Sequence, residues 1–132
     1  MLNCLLLGDS IAVGVAAVVN GGGPVCAVAA RVGAASSELQ TQLAGTGARP
    51  VTIVSTGSND PRNPSLDGNL LRLRAELNGR VVWILPYDRR AAYSVTQVAF
   101  RFGDGLVDLA RFPTADRVHP ADYGAVAAAL PR

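Results

Sequence analysis

The stretch Leu5-Leu6-Leu7-Gly8-Asp9-Ser10 decides the fold of this chain. An apolar run short enough to be a buried strand ends at a glycine, and a helix-like segment, 11–19, follows it. Ser10 is therefore predicted to lie at a strand-to-helix turn. In an open parallel sheet such a turn lies at the carboxyl ends of the strands, where ligands bind and where the next helix directs its free N–H groups. A serine there can be a nucleophile if a base reaches it.

The same alternation of strand and helix continues to the end of the chain. The predicted strands are 2–7, 25–30, 50–56, 80–85 and 106–109. The predicted helices are 12–20, 36–44 with a serine cap at Ser36 or Ser37, 65–78, 91–102, and 121–130 opened by Pro120 or the residue after it. Strands that alternate with helices indicate a parallel sheet covered on both faces, and right-handed crossovers leave few topologies. We expect one α/β domain over residues 1–132, with five parallel strands in the order 2-1-3-4-5.

Composition argues for an ordinary folded domain and against several classes of partner. Hydrophobic residues make up 49% of the 132 residues, which is enough for a core. All 12 basic residues are arginines, scattered against 10 acids, so no nucleic-acid patch is expected. No apolar run approaches the roughly 20 residues that a membrane helix needs, so we expect no membrane partner.

The first strand starts almost at Met1, without a basic region or cleavable leader before it. The expected compartment is therefore the cytoplasm, with export by a leaderless route as the alternative. Cys4 and Cys26 are too few for a disulfide scaffold or a metal site, and both lie in apolar segments. They are predicted to be reduced core residues.

Four groups with useful chemistry follow predicted strands, and all of them should open on the same sheet edge. Ser10 follows the first strand, Gly33 the second and Asn59 the third, while the run 116–120 follows the fifth. His119 is the only histidine, and Asp116 could orient its ring through Nδ1 while Nε2 faces Ser10. The backbone N–H groups of Ser10 and Gly33 and the side-chain amide of Asn59 are suitable donors for an oxyanion. The sequence thus predicts a Ser-His-Asp triad for acyl transfer.

These residues also carry a resemblance to a known family. Gly8-Asp9-Ser10, Gly33, the run 57–60 and Asp116-x-x-His119-Pro120 resemble the four blocks of the SGNH hydrolases, also called GDSL esterases and lipases. The resemblance spans almost the whole chain, which is short for the family. It implies a flavodoxin-like three-layer fold and ester or thioester hydrolysis without metal or cofactor. It also implies that Ser10 is the nucleophile, His119 the base and Asp116 its orienting acid, with Ser10, Gly33 and Asn59 as oxyanion donors.

The expected substrate is a small-molecule or carbohydrate ester with a short acyl group, most simply acetyl. The connections after the strands are short, so they predict a shallow cleft without a lid, and such a cleft buries few methylenes of a long acyl chain. Asp60 and the pair Arg89 and Arg90, which follows the fourth strand, are candidates for substrate binding.

Three other functions are alternatives to the hydrolysis of short acyl esters. A lysophospholipase or acyl thioesterase of the same family would need a hidden acyl groove. An inactive relative that binds a carbohydrate or acyl group is disfavoured by the intact Ser10, Asn59 and His119. A flavodoxin-like nucleotide or phosphate binder would use the turn 8–14, but the chain has no glycine-rich signature followed by lysine, and no lysine at all.

Overall fold

The computed structural model describes residues 3–131, and within them five parallel strands form one sheet. The order is β2-β1-β3-β4-β5, as predicted from the alternation of strands and helices. The strands are β1 Cys4–Gly8, β2 Cys26–Val28, β3 Val51–Ser55, β4 Arg80–Leu85 and β5 Gly105–Asp108. Leu2, which was predicted to open the first strand, lies outside the described residues.

Helices cover both faces of the sheet, which confirms the three-layer fold. They are α1 Ser10–Val19, α2 Leu39–Thr46, α3 Leu66–Ala75, α4 Arg89–Phe102 and α5 Tyr123–Ala128. Leu5 and Leu7 pack into the core under α2, α3 and α4, whereas Leu6 packs into the core under α1 and α5. Both sides of β1 are therefore buried, which is why its sequence is a continuous apolar run rather than an alternating one. No helix among residues 3–131 is long and apolar enough to cross a membrane.

Several element boundaries differ from the prediction because tertiary contacts compete for the capping groups. Ser36 opens a 3-10 turn, Ser36–Glu38, and its hydroxyl donates to Asp60 rather than capping α2. The carboxylate of Asp88 accepts from two amides of α4, so this helix begins at Arg89, two residues earlier than predicted. The last helix begins at Tyr123 rather than residue 121, because Asp122 is its cap.

The prediction that both cysteines are reduced is wrong. Cys4 and Cys26 are directly opposite each other on the neighbouring strands β1 and β2, with their Cα atoms 4.6 Å apart, and they form a disulfide. This separation lies inside the range that a disulfide can bridge. The sequence did not indicate the pairing because it depends on the register of the two strands.

Candidate active site

The turn that carries Ser10 is built against strand β3. Gly8 has φ +126°, and a Cβ at this position would lie 1.7 Å from the carbonyl oxygen of Ser55. Only glycine therefore lets β1 end so close to its neighbour. The N–H of Asp9 donates to that same carbonyl oxygen at 3.0 Å. The last residue of β1 and the first residue of the turn are thus both fixed by Ser55.

Asp9 is a fully buried carboxylate that caps helix α1. Its Oδ1 accepts from the N–H of Ile11 and from the hydroxyl of Ser55, each at 3.0 Å. Its Oδ2 is buried without a hydrogen-bond partner among the described residues. Burial, only partly offset by these hydrogen bonds, raises the pKa of Asp9 to about 6. Because Asp9 is the cap, Ser10 is the first helical residue, and its N–H is one of the amides without an acceptor inside the helix.

Ser10, His119 and Asp116 form a continuous chain of hydrogen bonds. The Oγ of Ser10 lies 2.8 Å from Nε2 of His119, and Nδ1 of the same ring lies 2.8 Å from Oδ2 of Asp116. An ionised carboxylate can only accept, so Nδ1 carries the hydrogen and Nε2 offers its lone pair to the serine hydroxyl. The structure therefore brings together the three residues predicted as nucleophile, base and orienting acid, although Ser10 lies more than 100 residues before the other two in the chain.

The loop around His119 is held by its own hydrogen bonds. Oδ1 of Asp116 accepts from the N–H groups of Val118 and His119, at 2.9 and 2.8 Å. Thr114 donates its hydroxyl to the carbonyl oxygen of His119 at 2.6 Å and accepts from the N–H of Arg117 at 3.0 Å. The hydrogen bonds from the backbone and ring of His119 hold the pKa of Asp116 well below its usual value, so this carboxyl is ionised at neutral pH.

The predicted oxyanion donors Gly33 and Asn59 lie on two loops that are bound to each other. Nδ2 of Asn59 donates to the carbonyl oxygen of Ala34 at 3.0 Å, which leaves its second amide hydrogen uncommitted by this bond. Gly33 has φ +82°, a backbone conformation that L side chains rarely adopt, and the nearest atom to a Cβ there would be 3.9 Å away. Glycine is thus required at 33 by its backbone conformation rather than by a crowded neighbourhood.

Asp60 joins the same two loops. Its carboxylate accepts from the backbone N–H of Ser36 and, at 2.6 Å, from the hydroxyl of Ser36. It also accepts from Nδ2 of Asn63 at 3.1 Å. Asp60 was predicted as a possible substrate-binding residue; the structure places its carboxylate between the loop of Gly33 and the turn of Asn59.

The two arginines after β4 are placed differently from each other. The guanidinium of Arg89 forms two hydrogen bonds with Asp108, at 3.0 and 2.9 Å, and also donates to the carbonyl oxygen of Tyr87. Arg90 is exposed and lines a separate cavity of about 280 Å³ with Pro61 and neighbouring residues. The substrate-binding role predicted for both stays a prediction.

Sequence reasoning missed Gln42 and Thr114. The side-chain amide of Gln42 pairs with both backbone groups of Gly8, donating to its carbonyl oxygen at 2.9 Å and accepting from its N–H at 2.8 Å. Nothing in the sequence around residue 42 marks this contact, because it joins a surface position of α2 to the end of a strand 34 residues away. Among residues 3–131 no cluster of three or more His, Cys, Asp or Glu side chains could hold a metal ion.

Comparison with known proteins supports the fold. No family model and no curated protein matches the sequence. Among solved structures, the chain is similar to the C-terminal catalytic domain of peptidoglycan O-acetyltransferase A (OatA) from Streptococcus pneumoniae, determined with a methylsulfonyl adduct, with a TM-score of 0.66. The two share 15% identity, over 96% of this chain and 86% of that one. At this level of identity the likeness establishes the fold alone: a five-stranded parallel sheet between two helical layers.

Proposed function

We propose that this protein is a serine esterase that hydrolyses short acyl esters, most simply acetyl esters, through a covalent acyl-enzyme. The observation that carries the proposal is the unbroken chain from the Ser10 hydroxyl through the imidazole of His119 to the carboxylate of Asp116, with both links at 2.8 Å. Such a chain activates a serine that would otherwise be a weak nucleophile at neutral pH.

In the proposed mechanism His119 accepts one proton and then donates one proton in each half-reaction. Nε2 takes the hydroxyl proton of Ser10 as Oγ attacks the ester carbonyl, and it then gives that proton to the leaving alcohol oxygen. In the second half-reaction the same nitrogen takes a proton from water as the water oxygen attacks the acyl carbon. It then gives that proton to Oγ of Ser10 as the bond between Oγ and the acyl carbon breaks, which releases the acid and restores the free serine. Asp116, ionised and bound to Nδ1, stabilises the imidazolium that forms in both steps.

Negative charge develops on the carbonyl oxygen during each attack, and three groups are suited to receive it. The N–H of Ser10 lies at the start of α1, where the helix leaves amides without acceptors. The N–H of Gly33 and the second amide hydrogen of Asn59 are carried by loops that Asp60 ties together. Pre-organised donors of this kind contribute because they need not reorient as charge appears.

The exposure of the site favours a short acyl group. The side chains of His119 and Asp116 are 41% and 55% exposed, so the triad lies in an open cleft rather than in a tunnel. A methylene contributes about 0.8 kcal/mol only when it is buried, and an open cleft buries few of them. A lysophospholipase or long-chain thioesterase would need an acyl groove here.

An acyltransferase is the second candidate, and the structural likeness favours it. The similar structure is the catalytic domain of a peptidoglycan O-acetyltransferase. Hydrolase and transferase share the acyl-enzyme and differ in whether water or an alcohol accepts the acyl group. Adding an alcohol such as a sugar to a hydrolysis assay distinguishes them, because a transferase diverts product from acetate to the new ester at alcohol concentrations far below that of water.

The experiment that tests the proposal is substitution of Ser10 by alanine, assayed with p-nitrophenyl acetate. We expect kcat/KM to fall on the order of 10⁴- to 10⁶-fold, with little change in the free energy of unfolding, because only one hydroxyl is lost. Ser94→Ala makes the same change on α4 and should leave the rate unaltered. A Ser10→Ala protein that kept a tenth of the wild-type rate would rule out a serine acyl-enzyme.

A further inference from the structure

A cavity of about 690 Å³ lies beside the candidate triad, between the loops that follow β3, β4 and β5. It shares two of those loops with the site: Val118 lines it and precedes His119, and Ser58 lines it and precedes Asn59. Its remaining apolar wall is formed by Tyr87, Ala110, Phe112 and Pro113. The cavity therefore adjoins the loops that carry His119 and Asn59, although neither of these residues lines it.

Three charged residues line this cavity, and two of them are committed to the fold. Arg89 is bound through its guanidinium to Asp108, and one carboxylate oxygen of Asp88 caps α4. Arg117 is different, because its guanidinium has no hydrogen bond or ion pair with another residue among 3–131. The positive charge of Arg117 is thus available to a ligand.

The backbone of Arg117 has an uncommon conformation. Its φ is +63°, in the left-handed region that residues other than glycine seldom occupy. The conformation is maintained by the bond from its own N–H to Thr114 and by the two bonds that Asp116 accepts from the following amides. A non-glycine residue in such a conformation between an orienting acid and a base is a reason to look for a role of its side chain.

The chemistry of the triad decides which part of the substrate meets Arg117. The base must protonate the leaving oxygen, so the alcohol half of the ester lies against the loop of His119. The carbonyl oxygen faces the oxyanion donors, and the acyl chain lies on the side of the carbonyl carbon away from the leaving oxygen. Arg117, two residues before His119 and in the wall of the cavity, therefore faces the alcohol half.

We propose that this cavity binds the alcohol half of the substrate and that Arg117 binds a carboxylate or phosphate group on that alcohol. The inference rests on the proposed function, because it takes the direction of the leaving group from the proposed triad. A guanidinium donates two parallel hydrogen bonds to either oxyanion.

The test uses aryl acetates that differ only in a charge remote from the ester. The three substrates are 4-acetoxyphenylacetate, its neutral amide 4-acetoxyphenylacetamide, and 4-acetoxybenzylphosphonate; the methylene keeps the leaving phenols similar in basicity. We expect wild-type kcat/KM for an anionic ester to exceed that for the amide on the order of tenfold at low salt, because one charge-assisted contact is gained. Comparing kcat/KM for the carboxylate ester with kcat/KM for the phosphonate ester shows which oxyanion is preferred. The preference should shrink as salt screens the contact.

Arg117→Gln should reduce the preference to near unity, and Arg117→Lys should keep part of it. Glutamine also has a Cβ, so the backbone strain at the positive φ of residue 117 is the same in Arg117→Gln as in the wild type. A change in substrate preference therefore reports the loss of charge. Arg62→Gln removes the same charge from an exposed position that lies outside the cavity, and it should keep the wild-type preference.

Two failures can be told apart. Equal rates on charged and neutral esters, unchanged in Arg117→Gln, would overturn the anion site and leave the esterase intact. If no ester is hydrolysed, the esterase proposal fails, and the site is then tested by an NMR titration of wild-type and Arg117→Gln protein with 4-hydroxyphenylacetate and its amide. Binding of the anion that exceeds binding of the amide and is lost in Arg117→Gln would support the site, and equal binding would overturn it.

Discussion

The turn that carries Ser10 and the loop that carries His119 meet at 2.8 Å, yet they are held in different ways. Asp9, which caps the helix of Ser10, is completely buried and bonded to Ser55 at the end of the central strand β3. Asp116, which orients His119, is 55% exposed and bonded to groups of its own loop. The nucleophile is thus placed by the folding core, whereas the base is placed by a local surface network. Changes to the groups that anchor the turn should act on stability, and changes to the groups that orient His119 should act on the rate.

Among the groups that hold the nucleophile and the base in place, the largest effect we expect comes from the loop of His119. Asp116→Asn keeps an oxygen for the amides of Val118 and His119 but removes the charge that holds the hydrogen on Nδ1. We expect kcat to fall on the order of 10³- to 10⁴-fold, because the ring no longer presents a free lone pair to Ser10. Stability should change little, since Asp116 is exposed.

Steady-state kinetics and urea unfolding, measured on the same preparation, check this result. Asp122→Asn is the matched control, because it makes the same change at the cap of α5, six residues further along. An Asp116→Asn protein with reduced stability and a nearly normal rate would reverse the roles assigned to the two regions.

The next effect comes from the turn. Gly8→Ala places a Cβ 1.7 Å from the Ser55 carbonyl oxygen at a φ of +126°. We expect the free energy of unfolding to fall by about 4 kcal/mol, from backbone strain and overpacking together. Gly22→Ala is the control, because a Cβ there would have no neighbour within 4 Å, and it should stay within about 0.5 kcal/mol of wild type. Equal stabilities for the two alanine variants would show that β1 and β3 do not approach as described.

The smallest effect is a pH dependence of stability that originates at Asp9. Its pKa is about 6 in the folded protein against 3.8 for the free side chain, so the folded state holds the proton more tightly. Stability should therefore fall as pH rises from about 4 to above 6, by about 3 kcal/mol for this group, and then level off. Asp9→Asn removes the titration, so the difference between the urea midpoints of the two proteins across this range measures it. A difference independent of pH would mean that the carboxyl is solvated.

Much of the fold could be predicted because its strands are buried on both faces and alternate with helices along the chain. The run at Leu5 is apolar throughout for this reason, and right-handed crossovers then set the strand order. The predicted capping of α2 by Ser36 was wrong because the hydroxyl of Ser36 donates to the carboxylate of Asp60, which is distant in sequence. The disulfide was not predicted because the register of β1 and β2 brings Cys4 and Cys26 together, and this register cannot be seen in either segment alone.

The candidate site was predictable where chemistry and position coincide. Ser10 and His119 are reactive residue types that directly follow strands or lie on the loop after the last strand, so topology alone brings them to one edge. The residues that hold them, Gln42 and Thr114, act through backbone groups that only the folded chain presents. Their side chains have no local signature.

The central claim is that His119 makes the Ser10 hydroxyl a nucleophile, and an active-site phosphonate tests it most directly. Intact-mass measurement after treatment with a fluorophosphonate should show one adduct per wild-type chain, and peptide mapping should place it on Ser10. Ser10→Ala should show none, and His119→Ala should react far more slowly. A wild-type protein that stays unmodified, or an adduct that persists in Ser10→Ala, would contradict the account.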